Sequence, residues 1–311
     1  MKWRWLLDAD VRWRTLVAAY LGVLLVTGSV VGYVRIADVH GPPAEHRISP
    51  DAEPGQMIAT ANEAFQHVDH RTVTRVHVQN ESERRPLFAY EYLYDYSDRQ
   101  FFGQRVWTGS YAKRWERSYT PYWFPLAVLP GKYYVTDGRA EIGANYPEGS
   151  SLGSREFEDP SPPFRGGAFS ASSPDNVWEF AYGGNVFLQG ASDADWRVVS
   201  ENASTLVLGI DDHEEYYETR QMFYARDVHE GSSIRVFVDK ESGRVTRMVE
   251  HRVATYEVTV ETADGEYEDV ERTRHYVVVT EFSEYGTVDL ERPEGVGPPT
   301  LKELWRDFFY Y

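Results

Sequence analysis

The sequence predicts an α+β domain of mostly antiparallel β structure, preceded by a single N-terminal transmembrane helix. Three observations predict it. An uncharged apolar run lies near the N-terminus, the apolar period switches from helical to two at about residue 72, and turn signals separate the strand-like runs that follow.

The uncharged run is residues 15–34, TLVAAYLGVLLVTGSVVGYV. As a helix it is long enough for the ~30 Å hydrocarbon core of a bilayer. Lys2, Arg4, Arg12 and Arg14 precede it against Asp8 and Asp10, and the chain after it turns acidic. The positive-inside rule then puts the N-terminus in the cytoplasm and the bulk of the chain outside. A cleaved signal peptide would have a shorter apolar core and a small-residue cleavage pattern. The stretch VGYVRIAD offers no such pattern, so the reading is a retained signal anchor in the cell membrane. The predicted organisation is a cytoplasmic tail over 1–14, the anchor over 15–35, a linker over 36–56, an extracytoplasmic β domain over 57–296 and a helical tail over 297–311.

The linker, DVHGPPAEHRISPDAEPGQ, is polar and rich in Pro. After it, Ile58, Ala61, Phe65 and Val68 recur at helical spacing, which predicts a helix with one apolar face. From TVTRVHVQN onward the period is two. PLFAYEYLYDYSD puts Phe88, Tyr90, Tyr92, Tyr94 and Tyr96 on one face of a strand. Further strand-like runs are QFFGQRVWTG, YAKRWERSYT, YYVTDGRAEI, TLVLGI and EYYETRQMFYAR. IRVFVDKESGRVTRM reads as a hairpin, and HRVATYEVTVET and TRHYVVVTEF flank an Asp264-Gly265 turn. A meander of this kind is an antiparallel sheet. Residues 147–175, rich in Gly, Pro and Ser, read as a long loop inserted in it. NVWEFAYGGNVFLQ reads as a later helix. TLKELWRDFF reads as a C-terminal amphipathic helix with Thr300 and Glu303 as its capping box.

The charge bounds the partners. Asp and Glu number 49 against 32 Lys and Arg, a net charge of −17. Only Lys2, Lys113, Lys132, Lys240 and Lys302 are lysines. An acidic surface poor in Lys is that of a halophilic protein, whose self-repulsion concentrated salt screens. Such a balance excludes nucleic acid as a partner. There is no Cys, so neither disulfides, a lipid-modified Cys nor thiolate metal sites are available.

Chemical motifs are weak. Gly149-Ser150-Ser151-Leu152-Gly153 matches a nucleophile elbow in form, but a Pro-rich loop follows where that motif needs a helix. His67 and His70, three apart, would both sit on the first helix and read as solvated residues of its polar face. Asp211-Asp212-His213-Glu214-Glu215 matches no calcium-loop spacing and reads as a solvated acidic turn. No catalytic residue, metal site or cofactor is expected, and the chain is not read as an enzyme. Asn80-Glu81-Ser82 and Asn202-Ala203-Ser204 are glycosylation sequons, which makes Asn80 and Asn202 candidates for modification outside the membrane.

The order of a leading helix, a meander with DYSDRQF and YVTDGRAEI, a later helix, FVDKESGRVTRM and FSEYGTVDLERPEG resembles the LolA-like lipoprotein-carrier superfamily over residues 56–296. FVDKESGRVTRM looks like its hairpin and FSEYGTVDLERPEG like its last strand and exit. The resemblance implies an incomplete, half β-barrel that wraps one or two helices and encloses an apolar cavity. It also implies binding of a lipid or other apolar ligand, or, in some members, of a partner protein. This chain departs from the pattern in its helical anchor, its missing lipobox Cys and its 147–175 loop. Aromatics are 15% of the chain, with 22 Tyr and 9 Trp, and rings of this type line apolar pockets as readily as they fill cores. Phe88, Tyr90, Tyr92, Tyr94, Tyr96, Trp107, Trp115 and Phe124 are the candidate cavity lining. The expected function is that of a membrane-anchored, non-catalytic module that binds a lipid or apolar ligand. The alternative is a protein-binding, regulatory or structural envelope ectodomain on the same scaffold.

Overall fold

A computed structural model of the protein describes residues 13, 15–26, 28–29, 46–79, 83–96, 100–108, 132–136, 139–143, 194–220, 227–262, 264–293, 298–299 and 304. The chain divides into two compact units, residues 1–44 with 299–311, and residues 45–298.

In the first unit, residues 15–26 and 28–29 are helical. Leu16, Tyr20, Val23, Leu25 and Val26 on it are exposed. Among the described residues no helix is long and apolar enough to cross a membrane. The predicted span over 15–35 runs beyond the described residues. Leu304 in the predicted C-terminal helix is helical and exposed.

The second unit is one open sheet with two described helices. Helix α1 is Pro54–His67, three residues longer at its start than the periodicity indicates. Pro54 explains the extension, because proline's fixed φ and missing N–H suit the first turn. The strands are β1 His70–Gln79, β2 Arg84–Asp95, β3 Gln100–Thr108, β4 Lys132–Thr136, β5 Arg139–Gly143, β6 Arg197–Glu201 and β7 Thr205–Ile210. After helix α2, His213–Arg220, come β8 Asp227–Val228, β9 Ser233–Asp239, β10 Arg244–Glu261 and β11 Tyr267–Ser283. Every described strand pair is antiparallel. The order is β5-β4-β3-β2-β1-β11-β10-β9-β7-β6, with β8 against β10. Among the described strands the two ends, β5 and β6, do not pair with each other, so this sheet is open, as an incomplete barrel requires.

Alternation gives the sheet two different faces. One, the inner face, carries Leu208 of β7, Val236 of β9, Met248 of β10, Val278 of β11, Val76 of β1 and Tyr92 of β2. Met57, Ile58, Ala61 and Phe65 of α1 join these residues in a single buried cluster. The predicted apolar face of the first helix is therefore its buried face. The other face, the outer one, carries the Arg- and His-rich row treated below.

Several elements differ from the sequence reading. YYVTDGRAEI is not one run but two strands, β4 and β5, paired across residues 137–138. Asp137-Gly138 is itself the hairpin signal. EYYETR is helical, not extended, and belongs to α2. Asp212 caps that helix, since its Oδ1 accepts the Glu214 and Glu215 N–H groups at 2.9 and 3.1 Å. Glu214 and Glu215 in the first turn suit the helix dipole. This start signal outweighs the strand preference of two tyrosines and a threonine. Strand β6 was not anticipated. The predicted strand YAKRWERSYT, the loop over 147–175 and the helix NVWEFAYGGNVFLQ lie outside the described residues.

The β9–β10 hairpin clasps the chain that arrives from the linker. Ile48 N–H donates to the Gly243 carbonyl at 2.9 Å, and Arg244 Nη1 donates to the His46 carbonyl at 3.0 Å. Ile48 is buried in the core. Gly243 has φ +65°, and a Cβ there would lie 2.9 Å from the Ile48 carbonyl oxygen. Gly265, in the far turn of the same ribbon, has φ +80° and open space around it. Gly265→Ala is thus expected to cost only the left-handed backbone penalty, about 1 kcal/mol, and Gly243→Ala about 2–3 kcal/mol. Urea midpoints of the two variants decide it: equal losses would mean that the clasp adds nothing.

Candidate ligand face

The inner face has an aromatic end and a charged centre. At the aromatic end, Tyr92 and Phe101 stack with ring centroids 5.5 Å apart, and Tyr94 meets Phe101 at 5.0 Å. Opposite Tyr92 the partner residue is Gly103, and a Cβ there would lie 2.7 Å from the Tyr92 ring. The ring therefore lies flat over the glycine. Tyr90, Tyr92 and Tyr94 are all buried, and burial pushes the Tyr94 phenol well up.

His70 sits inside this cluster. It opens β1 rather than closing α1, because α1 ends at His67. It stacks on Tyr94 at 4.5 Å and lies 5.5 Å from Phe65 and 5.8 Å from Tyr285. Its Nδ1–H donates to the Val68 carbonyl at 2.8 Å. The reading of His70 as a solvated helix residue is corrected: it is 3% exposed. Desolvation lowers its pKa to about 4, against the Val68 hydrogen bond, which raises it. The unfolded chain titrates this group near 6.5. Its neutral burial therefore favours the fold fully above that pH, and the advantage is lost as pH falls from about 6.5 to 4. The loss attributable to His70 is expected to reach about 3 kcal/mol. His70→Phe keeps a ring and removes the titration. Urea midpoints measured between pH 7 and 4.5 should fall less steeply in the variant; parallel slopes would exclude the assignment.

At the centre, β10 places Glu250 and Arg252 on the inner face, 0% and 2% exposed. Arg252 Nε donates to Glu250 Oε1 at 2.8 Å, and Nη2 bonds the same oxygen. Tyr216 of α2 donates its hydroxyl to Glu250 Oε1 at 2.5 Å and accepts from Arg252 Nε at 3.2 Å. Burial opposes the Arg252 charge, but Glu250, Tyr216 and Tyr256 outweigh it and hold the guanidinium well above its usual range. Burial raises the Tyr256 phenol, against the Arg252 charge. This polar island fastens α2 to the inner face, on which Thr74 and Thr280 also bond each other at 2.9 Å. Sequence alternation places both charges inward, but the reading of HRVATYEVTVET as a plain strand passed over Arg252, and Glu250 stands just before that run.

A cleft of about 530 Å³ opens where the hairpin turn meets the linker, between Arg47, Asp239, Glu241, Arg244 and Tyr285. Arg244 lies over the Tyr285 ring, 5.3 Å from its centroid. Of the predicted lining residues, Tyr90, Tyr92, Tyr94 and Tyr96 do not border this cleft. Of those residues, Tyr90, Tyr92 and Tyr94 come together in the inner-face cluster, and Tyr96 packs against it. Tyr96 N–H donates to Asp69 Oδ1 at 2.6 Å, and its hydroxyl bonds the Phe65 carbonyl. Phe88 pairs through its backbone with Val76 and Thr108, and Trp107 with Ala89. Trp115, Phe124 and Asn80 lie outside the described residues. Asn202 is exposed, and its Oδ1 accepts the Ser204 and Thr205 N–H groups at 2.9 and 2.7 Å in a tight turn. The acidic run is largely exposed, as read, but is not one turn: Asp212 caps α2, which begins at His213, and Asp211 pairs with Arg197 and Arg235. Its carboxyl is held below the usual range, first by the Arg235 hydrogen bond. Among the described residues no three His, Asp or Glu side chains converge to hold a metal ion.

No protein-family model matches the chain, and no curated protein matches it. Solved structures do. The chain is similar to the lipoprotein LppX of Mycobacterium tuberculosis, at 6% identity and a TM-score of 0.37 over 76% of this chain and 96% of that one. It is similar to LprF of Mycobacterium bovis, at 13% identity and a TM-score of 0.34 over 81% and 100%. It is also similar to a LolA superfamily protein of Nitrosomonas europaea, at 9% identity and a TM-score of 0.26 over 77% and 96%.

Proposed function

We propose that this chain is a non-catalytic binding module, held at the outer side of the cell membrane by residues 15–35, whose inner sheet face takes a lipid or other apolar ligand. The observation that carries the reading is the aromatic end of that face. Tyr92 and Phe101 lie as stacked, flat rings over Gly103, at the β3 side of the sheet. Stacked rings of this kind make a smooth apolar floor on which an acyl chain gains contact along its whole length. Phe65, the last core residue of α1's apolar stripe, stacks on Phe282 at 4.6 Å, on the β11 side of this floor.

The test is photocrosslinking. A diazirine-bearing fatty acid is illuminated with the protein, and the labelled peptides are read by mass spectrometry. Adducts should concentrate in residues 88–104. Adducts confined to the outer face, or none, would remove the apolar-ligand reading.

A second reading, a protein-binding ectodomain, has its own support. The described inner-face residues form one packed cluster, and the described cleft lies at its margin, where Arg47, Asp239, Glu241 and Arg244 join Val68 and Tyr285. A filled inner face leaves recognition to the surface, and the exposed Val198 and Val199 of edge strand β6 are then where a partner would pair.

A further inference from the structure

The outer face of the sheet departs from the rest of this acidic molecule. In the β2–β1–β11–β10 sector it carries Arg84, Arg75, His77, His275, Arg247 and His251 by register. Arg75 is paired, with Nη1 2.5 Å from Glu281. Among the described residues neither Arg84 nor Arg247 has a carboxylate within ion-pair distance; Glu281, which stands opposite Arg247 in the register, is held by Arg75. Arg84 Nη2 lies 3.3 Å from His77 Nδ1, and Arg247 lies over the Phe237 ring. His251 Nδ1 and His275 Nε2 are 3.2 Å apart. Val277 and Val279 form a buried floor between these groups. Arg75 holds Glu281, which leaves Arg84 and Arg247 as a local surplus of positive charge among the described residues of an acidic chain.

We propose that this outer-face cluster binds an oxyanion of the phosphate class, free or as the headgroup of an anionic lipid, through Arg84 and Arg247 with His77, His251 and His275 around them. Guanidinium groups offer the forked donors that phosphate oxygens accept. The buried apolar floor strengthens the attraction relative to open water. Burial, and after it repulsion from Arg247, disfavours the Arg84 charge, and a bound anion relieves that repulsion. The histidines add a pH dependence. Partial burial holds all three below the ordinary histidine pKa, and the Arg84 charge pushes each the same way. Other charges acting on them are few: Arg75 on His77, and Arg235 and, from the opposite face, Glu250 on His251. A bound anion favours the imidazolium forms, so affinity rises as pH falls below about 6.5. The 3.2 Å spacing of His251 and His275 would also suit a shared metal ion, but the neighbouring Arg84 charge disfavours a cation there.

The test uses the full chain in nonionic detergent, at the lowest salt that keeps its high-salt near-UV circular dichroism. Inorganic phosphate is titrated by calorimetry. Binding is expected, weakened at least tenfold by Arg84→Gln and unchanged by Arg197→Gln, which lies on β6. Sulfate, whose charge stays constant from about pH 5 to 8, should bind several-fold more tightly at the acid end, and His251→Phe with His275→Phe should flatten that dependence. Micelles doped with phosphatidylglycerol, compared with phosphatidylcholine, separate the sources: displacement of phosphate by the anionic lipid alone assigns the site to a headgroup, and no displacement assigns it to free phosphate. No phosphate binding, binding indifferent to Arg84→Gln, or zinc binding with phosphate silent overturns the proposal.

Discussion

Arg252→Met is expected to lower the stability of the chain by about 3–5 kcal/mol, while Arg252→Met combined with Glu250→Leu and Tyr216→Phe should restore most of the loss. The reason is where the pair sits. Glu250 and Arg252 are 0% and 2% exposed on the face that also buries Ile234, Val236 and Met248. Removing the guanidinium alone leaves a carboxylate in apolar surroundings, with Tyr216 as its described hydrogen-bond donor. Removing both charges and the Tyr216 hydroxyl replaces most of the polar island with packing of similar volume and strands no buried charge; the Tyr256 phenol is the polar group that stays. Urea midpoints of wild type, single and triple variants form the measurement. A single variant no less stable than the triple would show that the island is solvated and that α2 is not fastened through it.

Lowering NaCl from several molar to about 0.1 M is expected to cost the chain its tertiary structure, because the Debye length grows from below ~3 Å to ~10 Å over that range. The far half of the β10–β11 ribbon should fail first. Residues 257–271 contain Glu257, Glu261, Asp264, Glu266, Glu268, Asp269 and Glu271 and no Lys or Arg. Glu257 and Glu271 stand directly opposite each other across the ribbon, a placement that destabilises a sheet when unscreened. No described strand flanks this end: along β10, β9 reaches His251 and β8 reaches Thr255, and along β11, β1 stops at His275. Hydrogen exchange followed at both salt levels should show protection lost over 256–272 before the core of β1 and β9. An unchanged near-UV circular dichroism spectrum and uniform exchange would remove the halophilic reading.

Much of the sheet was legible in the sequence because its signal is local. Alternation in TVTRVHVQN and IRVFVDKESGRVTRM marks which residues face inward, and the structure buries Val76, Val78, Ile234, Val236 and Val238. The first helix was legible for the same reason: its apolar stripe is its buried stripe. What escaped was settled by longer-range or competing causes. EYYETR has the composition of a strand, and only the Asp212 cap, outside that run, turns it into a helix. His70 follows the first helix so closely that spacing alone reads it as helical. Its burial depends on rings from β2, α1 and the turn after β11, far apart in sequence. The aromatic stripe of β2 was visible as a stripe, but alternation alone does not say whether rings stack on one another or stand around a space. The outer Arg and His cluster was invisible for a further reason. Arg84, Arg247, His251 and His275 come from three strands, and only the register of β1, β2, β10 and β11 brings them together.

The central claim is that the inner face holds an apolar ligand, and its most direct test is to look for one. The fragment should begin at residue 45, where the second compact unit starts, so that the Ile48–Gly243 clasp is retained. Purified in high salt without detergent, it is extracted with organic solvent, and the extract is identified by mass spectrometry. The account predicts a lipid or other acyl compound recovered near one per protein. An empty extract, together with no uptake of a fluorescent acyl probe, would contradict it and leave the sheet as a closed core that meets its partners through its surface.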